Sequence, residues 1–190
     1  MVPLSALWLP ILLSAVIVFV ASSIMHMVLP YHHNDYQKLP DEDRVMGALR
    51  SAGLRRGLYV FPFCTPKEMK SPAMLEKYKQ GPVGSMTVMP PGPPALPKLL
   101  GLWFAYCLLV SFFVAYLTGH TVAPGTPYLA VFRVAGTAAF LAYALGALPN
   151  GVWKGQTWNI TIKELIDGAV YALLTAGAFG WLWPRVLTGM

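Results

Sequence analysis

Residues 24–43 read IMHMVLPYHHNDYQKLPDED. An apolar run ends inside this stretch and a polar segment begins, and that change decides how the chain on either side is read. Upstream, residues 4–29 contain no Asp, Glu, Lys or Arg. At about 1.5 Å per residue, a helix of that length crosses the roughly 30 Å hydrocarbon layer of a bilayer. Ala21-Ser22-Ser23 looks like a signal-peptide cleavage site. No Lys or Arg precedes the run, however, and it stays apolar through Val28 and Leu29, so an uncleaved transmembrane helix is predicted. The same stretch gathers His26, His32 and His33, three of the four histidines, and Asp35, the first acid of the chain.

Composition agrees with a membrane location. The chain is 56% hydrophobic and only 12% charged, against about 25% charged in soluble domains. The net charge of +6 lies mostly beside the apolar runs. Positive-inside bias and anionic headgroups account for it, and no nucleic-acid partner is expected. Cys64 sits in the polar segment and Cys107 in an apolar run, so they form no disulfide framework.

Residues 30–98 hold ten of the 14 Lys and Arg. Residues 41–51 predict a short helix with acids in its first turn and Gly53 past its end, its apolar face made of Val45, Ala48, Leu49 and Ala52. Residues 57–63 and 83–89 predict strands. Ser71 and Pro72 open a second helix that Gly81 closes. PPGPPALP then forms a stiff connector back to the membrane. Further spans are expected at 99–117, at 128–148 (ended by Pro149-Asn150-Gly151), and at 161–183. The last is opened by a Thr161/Glu164 capping box with Ile160 and Leu165 as its hydrophobic staple.

The expected fold is therefore an all-α membrane protein: four transmembrane helices with a small α/β cytoplasmic insert between helices one and two. Residues 1–29 form the first helix, 30–98 the insert, and 99–190 the other three helices. Loops one and three carry twelve Lys and Arg, including Lys154 and Lys163, whereas the opposite side has Arg185, with Arg133 near it. The positive-inside rule then places both termini outside and the insert in the cytoplasm.

Within lipid, close packing of small residues joins helices. Gly168, Ala172, Ala176 and Gly180 form such a stripe on the fourth span, and Ala138, Ala142 and Gly146 a matching one on the third. The polar residues offer fewer certainties. His32, His33 and Asp35 are candidate metal ligands beside His26, although adjacent histidines point apart and the spacing matches no known ligand motif. The plainer reading is a collar of histidines and tyrosines among headgroups. His26 and Asp167 lie at similar depth, and their contact serves either as structural glue or as a polar pocket. Arg133 has no acid on its side of the membrane, which points to a partner subunit or a lipid phosphate. No nucleophile motif, phosphate loop or cysteine-pair metal site is present.

The first span's aromatic- and histidine-rich exit, and the N-G-x-W-K-G-Q-x-W … I-D-G-x-x-Y-A segment at 150–172, resemble small four-helix bacterial membrane proteins of unknown function. The resemblance covers the spans and not the insert. It implies location in the bacterial inner membrane and helix count, and no chemistry. Three functions are therefore carried forward. The first is a non-enzymatic accessory subunit of a larger membrane complex, an energy-transducing one among the candidates, with no cofactor. The second is a small transporter or channel built on His26 and Asp167. The third is a metalloenzyme centred on the 26–35 exit.

Overall fold

The computed structural model of the protein describes residues 1–185. It is mostly helical. Helix α1 spans Trp8–Ser23, preceded by a 3-10 turn at Leu4–Leu7. The insert contributes α2 (Glu42–Ser51), β1 (Gly57–Phe61), α3 (Pro72–Gln80) and β2 (Gly84–Val88). Then follow α4 (Leu96–Thr121), α5 (Tyr128–Tyr143), a short α6 (Leu148–Trp153) and α7 (Trp158–Trp181). Among the described residues, three helical stretches are long and apolar enough to cross a membrane: Leu4–Val28, Leu96–Thr121 and Tyr128–Trp153. The fourth expected span, α7, is 24 residues long. It falls outside that class because Lys163, Glu164 and Asp167 crowd its first turns.

The four long helices pack side by side, with α1 touching α4 and α7, and α5 touching α4 and α7. One end carries the insert. At the other, Val2 N–H donates to the Gly119 carbonyl, and Trp183 Nε1 donates to the Ala123 carbonyl. The core between helices is built from small and β-branched residues, including Ala15, Val18, Val114, Val131, Ala135 and Ala176. Large side chains such as Leu102, Phe113 and Leu173 point outward, as lipid-facing surfaces require.

The insert forms as its local signals dictate. Ser71 Oγ accepts from the Met74 N–H and Pro72 occupies the first turn of α3. Gly81 closes that helix at φ 59, a conformation that favours glycine. The strands pair antiparallel, Gly57 opposite Val88 and Phe61 opposite Gly84. Helix α2 buries no residue, so the apolar face expected of Val45, Ala48, Leu49 and Ala52 is not covered by the described residues. Ser85 Oγ donates to the Lys154 carbonyl and ties the hairpin to the turn before α7.

Three expectations need correction. The helix beginning at Tyr128 breaks at Ala144, not at Pro149, and Pro149 lies inside the short α6. Gly168 explains the break: a Cβ there would sit 2.5 Å from Ala144 Cα and 2.7 Å from its nitrogen, so two backbones meet at this point. Second, α7 starts one turn before the expected capping box. Thr157 is its N-cap, Thr161 Oγ1 donates back to the Thr157 carbonyl, and Glu164 accepts from Gln156 Nε2 at 2.8 Å instead of capping the helix. Gln156 folds over the helix start and takes the partner that the capping box needed.

Third, the small-residue stripe of α7 is placed as expected, with Ala172, Ala176 and Gly180 buried, but its partner stripe on α5 is rotated by one residue. Val131, Ala135 and Ala139 are buried, Ala138 is half-buried, and Ala142 and Gly146 are exposed. One residue is about 100° of helix rotation. Ala138 and Ala142 instead line a groove against α4 beside Tyr106 and Leu109. The contact with α7 is made through Gly136, where a Cβ would come within 3.1 Å of the Ala176 methyl.

Gly168→Ala tests the backbone crossing. Overpacking against Ala144 should destabilise the bundle by about 1–3 kcal/mol, exceeding the roughly 1 kcal/mol that alanine gains in helix propensity. Gly146→Ala, with nothing within 4 Å of the added methyl, should leave the thermal midpoint in detergent unchanged or slightly raised. Equal midpoints for the two variants would rule the crossing out.

Candidate functional site

The site begins where α1 ends. Beyond Ser23 the helix widens into a single π turn, Ile24–Val28, closed by the Leu29 N–H on the Ile24 carbonyl. Such turns re-aim side chains and cluster at functional sites. Leu29 is extended, as a residue before proline prefers. A 3-10 turn at Pro30–His32 then folds the chain back under the helix end. The fold-back stacks the His32 ring on the His26 ring, with centroids 4.3 Å apart and planes 12° apart.

Both rings face Asp167, which is buried about two and a half turns into α7. His32 Nε2 lies 2.9 Å from Asp167 Oδ2, and His26 Nε2 lies 3.8 Å from it. The 2.9 Å contact is off the line of a hydrogen bond, leaving His32 Nε2 without a hydrogen-bond partner among the described residues. Asp167 Oδ1 and the Tyr171 hydroxyl are also buried and unpartnered.

The other ring nitrogens are engaged. His26 Nδ1 donates to the Ser22 carbonyl at 3.0 Å. His32 Nδ1 donates to Asp35 Oδ2 at 2.6 Å. Carbonyl and carboxylate oxygens only accept, so each Nδ1 carries a proton. Asp35 is held in turn by Lys163, whose Nζ donates to Asp35 Oδ1 at 2.5 Å and to the Tyr31 carbonyl at 2.7 Å. The Lys163 hydrogen bond, then that of His32, keeps the Asp35 carboxyl below the usual carboxylate range.

Lys163, Asp167 and Tyr171 lie four residues apart on one face of α7. That face looks into a cavity of about 660 Å³ between the helices. Its walls are mainly apolar, with Trp103, Tyr106, Tyr143 and Tyr171 around it. Their rings form a closed circuit of contacts, with centroid separations of 5.4 Å (Trp103–Tyr106), 5.8 Å (Tyr106–Tyr143), 5.7 Å (Tyr143–Tyr171) and 6.2 Å (Tyr171–Trp103). Trp103 is fixed by donating from Nε1 to Ser22 Oγ at 2.8 Å.

The structure thus brings His26 to Asp167 and adds His32, which the sequence placed in a headgroup collar. It separates the expected set of His32, His33 and Asp35. His33 is exposed and outside the cluster, and Asp35 binds the far nitrogen of His32. The neighbouring histidines point apart because the 3-10 turn directs one inward and the next outward. Lys163, Tyr171 and Trp103 were missed as site residues. The four-residue spacing of Lys163, Asp167 and Tyr171 was the available signal for two of them. Arg133 is exposed on α5, with no ion pair among the described residues.

No protein-family model, curated protein or solved structure matches the chain.

Lys163→Met removes the cation from a nearly buried pair and should cost on the order of 3 kcal/mol, read as a lowered thermal midpoint. The pH dependence has a definite sign. The folded-state pKa of Asp35 is depressed, so its stabilisation is present above the unfolded value and is lost as pH falls through the folded one. The gap in midpoint between the native chain and Asp35→Asn should therefore hold from about pH 7 to about 4 and shrink as the pH falls further. A gap that widens on acidification would contradict the pairing.

Proposed function

We propose that this chain is a small membrane transporter that binds lipophilic organic cations in the cavity beside Asp167. The observation that carries this reading is the character of the cavity lining: two carboxylates, Asp167 and Glu164, four aromatic rings, and no Lys or Arg. A buried carboxylate within an aromatic box attracts a soft cation through charge and ring quadrupoles together. The cavity volume falls in the range of small-molecule sites. The unpartnered Asp167 Oδ1 and Tyr171 hydroxyl supply polar anchors at its floor.

In this reading α7 is a fourth span, its charged first turns sheltered by Asp35, His32 and Gln156. Both termini lie outside a bacterial inner membrane, and residues 30–98 lie in the cytoplasm. The support is the charge distribution, with ten Lys and Arg in the insert and Lys154 and Lys163 at the same end of the bundle.

A second reading, an accessory subunit of a larger membrane complex, draws its support from Arg133. This exposed charge, five residues into α5, would find an acid on another protein or a lipid phosphate. A larger assembly surviving mild-detergent purification from native membranes, and lost on Arg133→Leu, favours it.

Binding of tetraphenylphosphonium to the purified protein tests the first reading. Saturable binding is expected, weakened at least about tenfold by Asp167→Asn, a loss of about 1.4 kcal/mol. Tetraphenylborate, of the same shape and opposite charge, should not bind. Absence of saturable phosphonium binding, or indifference to Asp167→Asn, rejects it. Labelling of Cys64 in intact cells by an impermeant maleimide would reverse the proposed orientation.

A further inference from the structure

We propose that His26, His32 and Asp167 form a binding site for one first-row transition-metal ion, with Asp35 and Lys163 fixing the orientation of His32. Each imidazole commits Nδ1 as a donor, to the Ser22 carbonyl and to Asp35 respectively. That fixes the tautomer in which the neutral ring presents an Nε2 lone pair. Both Nε2 atoms then face the same Asp167 oxygen, at 3.8 and 2.9 Å. Lone pairs turned toward a carboxylate repel it unless positive charge lies between them. A proton on His32 would supply that charge to the 2.9 Å contact alone, whereas one metal ion would supply it to both rings and to the carboxylate at once.

The distances suit such an ion. Ligands at about 2.1 Å from a common metal can lie no more than about 4.2 Å apart. The two His–Asp separations meet this limit as they stand, and all three ligand atoms lie within 4.8 Å of one another. The His26 and His32 rings stack with planes 12° apart, and a ring-nitrogen lone pair lies in its ring plane, so the half-exposed His26 ring turns out of the stack to reach an ion held by His32 and Asp167. Two imidazoles and one carboxylate favour zinc, cobalt or ferrous iron over magnesium or calcium, which prefer all-oxygen shells. The Asp35–His32 hydrogen bond is the outer-shell carboxylate–histidine pair common at metal centres. Because His26 and Asp167 also line the cavity, the remaining coordination positions open toward it. A metal ion and an organic cation would draw on the same carboxylate, so the metal would act as a switch on the cavity.

This site does not depend on the transport reading, and its test uses no organic cation. Co2+ is titrated into the full chain in detergent after stripping with EDTA. Expected are one Co2+ per chain, visible ligand-field absorption, and displacement by Zn2+. His26→Ala and Asp167→Asn should weaken binding strongly, and Asp35→Asn by about 10- to 100-fold. His33→Ala should leave it unchanged. Because the His26 ring is half exposed, His26→Ala keeps the test decisive should a buried variant fail to fold. No saturable Co2+ binding in the micromolar range overturns the proposal, as does affinity that survives His26→Ala or disappears with His33→Ala.

Discussion

The Asp167 carboxylate is the constraint to which the rest of the site answers. A buried carboxylate in a membrane bundle costs several kcal/mol unless positive charge or hydrogen-bond donors surround it. The side chains that face it, His26 and His32, come from a part of the chain more than 130 residues earlier. The π turn aims His26, the Leu29–Pro30 break reverses the chain, and the following 3-10 turn brings His32 under it. Lys163, one turn before Asp167, anchors Asp35 and so holds the fold-back in place. The end of α1, its fold-back and the first turns of α7 bring their charged and polar groups to one small volume.

Helix packing makes that volume possible. Gly168 follows Asp167 directly and lets α7 press against the backbone at Ala144. The break in α5 at that point turns residues 144–153 aside, and Ala142, Gly146 and Ala147 become cavity wall. A side chain at Gly168 would push the helices apart at the depth of the carboxylate. The close contact and the cavity share one face of α7, since Glu164 and Tyr171, four residues before Gly168 and three after it, line the cavity. Helix contact and the candidate site therefore share a segment, residues 167–171.

Much of the architecture was legible in the residues. Apolar length set α1 and α4, because a bilayer crossing requires about 20 uninterrupted apolar residues. The insert's elements were legible because its signals are local: Ser71-Pro72 at a helix start, Gly81 at its end, and two short strand-like runs between turns. The α7 stripe of small residues was legible because its period is four. Less was visible in α5, where two small-residue stripes lie one residue apart and only the position of α7 selects between them. The capping box at Thr161 failed for a similar reason. Gln156 lies outside the motif, and its reach to Glu164 is a contact that local pattern does not encode.

The candidate site divides the same way. Sequence alone determined that the chain holds helices long and apolar enough to cross a membrane, that His26 and Asp167 lie close together along the bundle, and that neighbouring histidines would diverge, because all three follow from helix rise, apolar length and backbone alternation. Only the tertiary structure decided that His32 is the inward one, that Asp35 binds its far nitrogen, and that four aromatic rings line one cavity with the acid. Those outcomes depend on how a reversed chain and three helices meet in space, and separations of more than a hundred residues leave no periodic trace in the sequence.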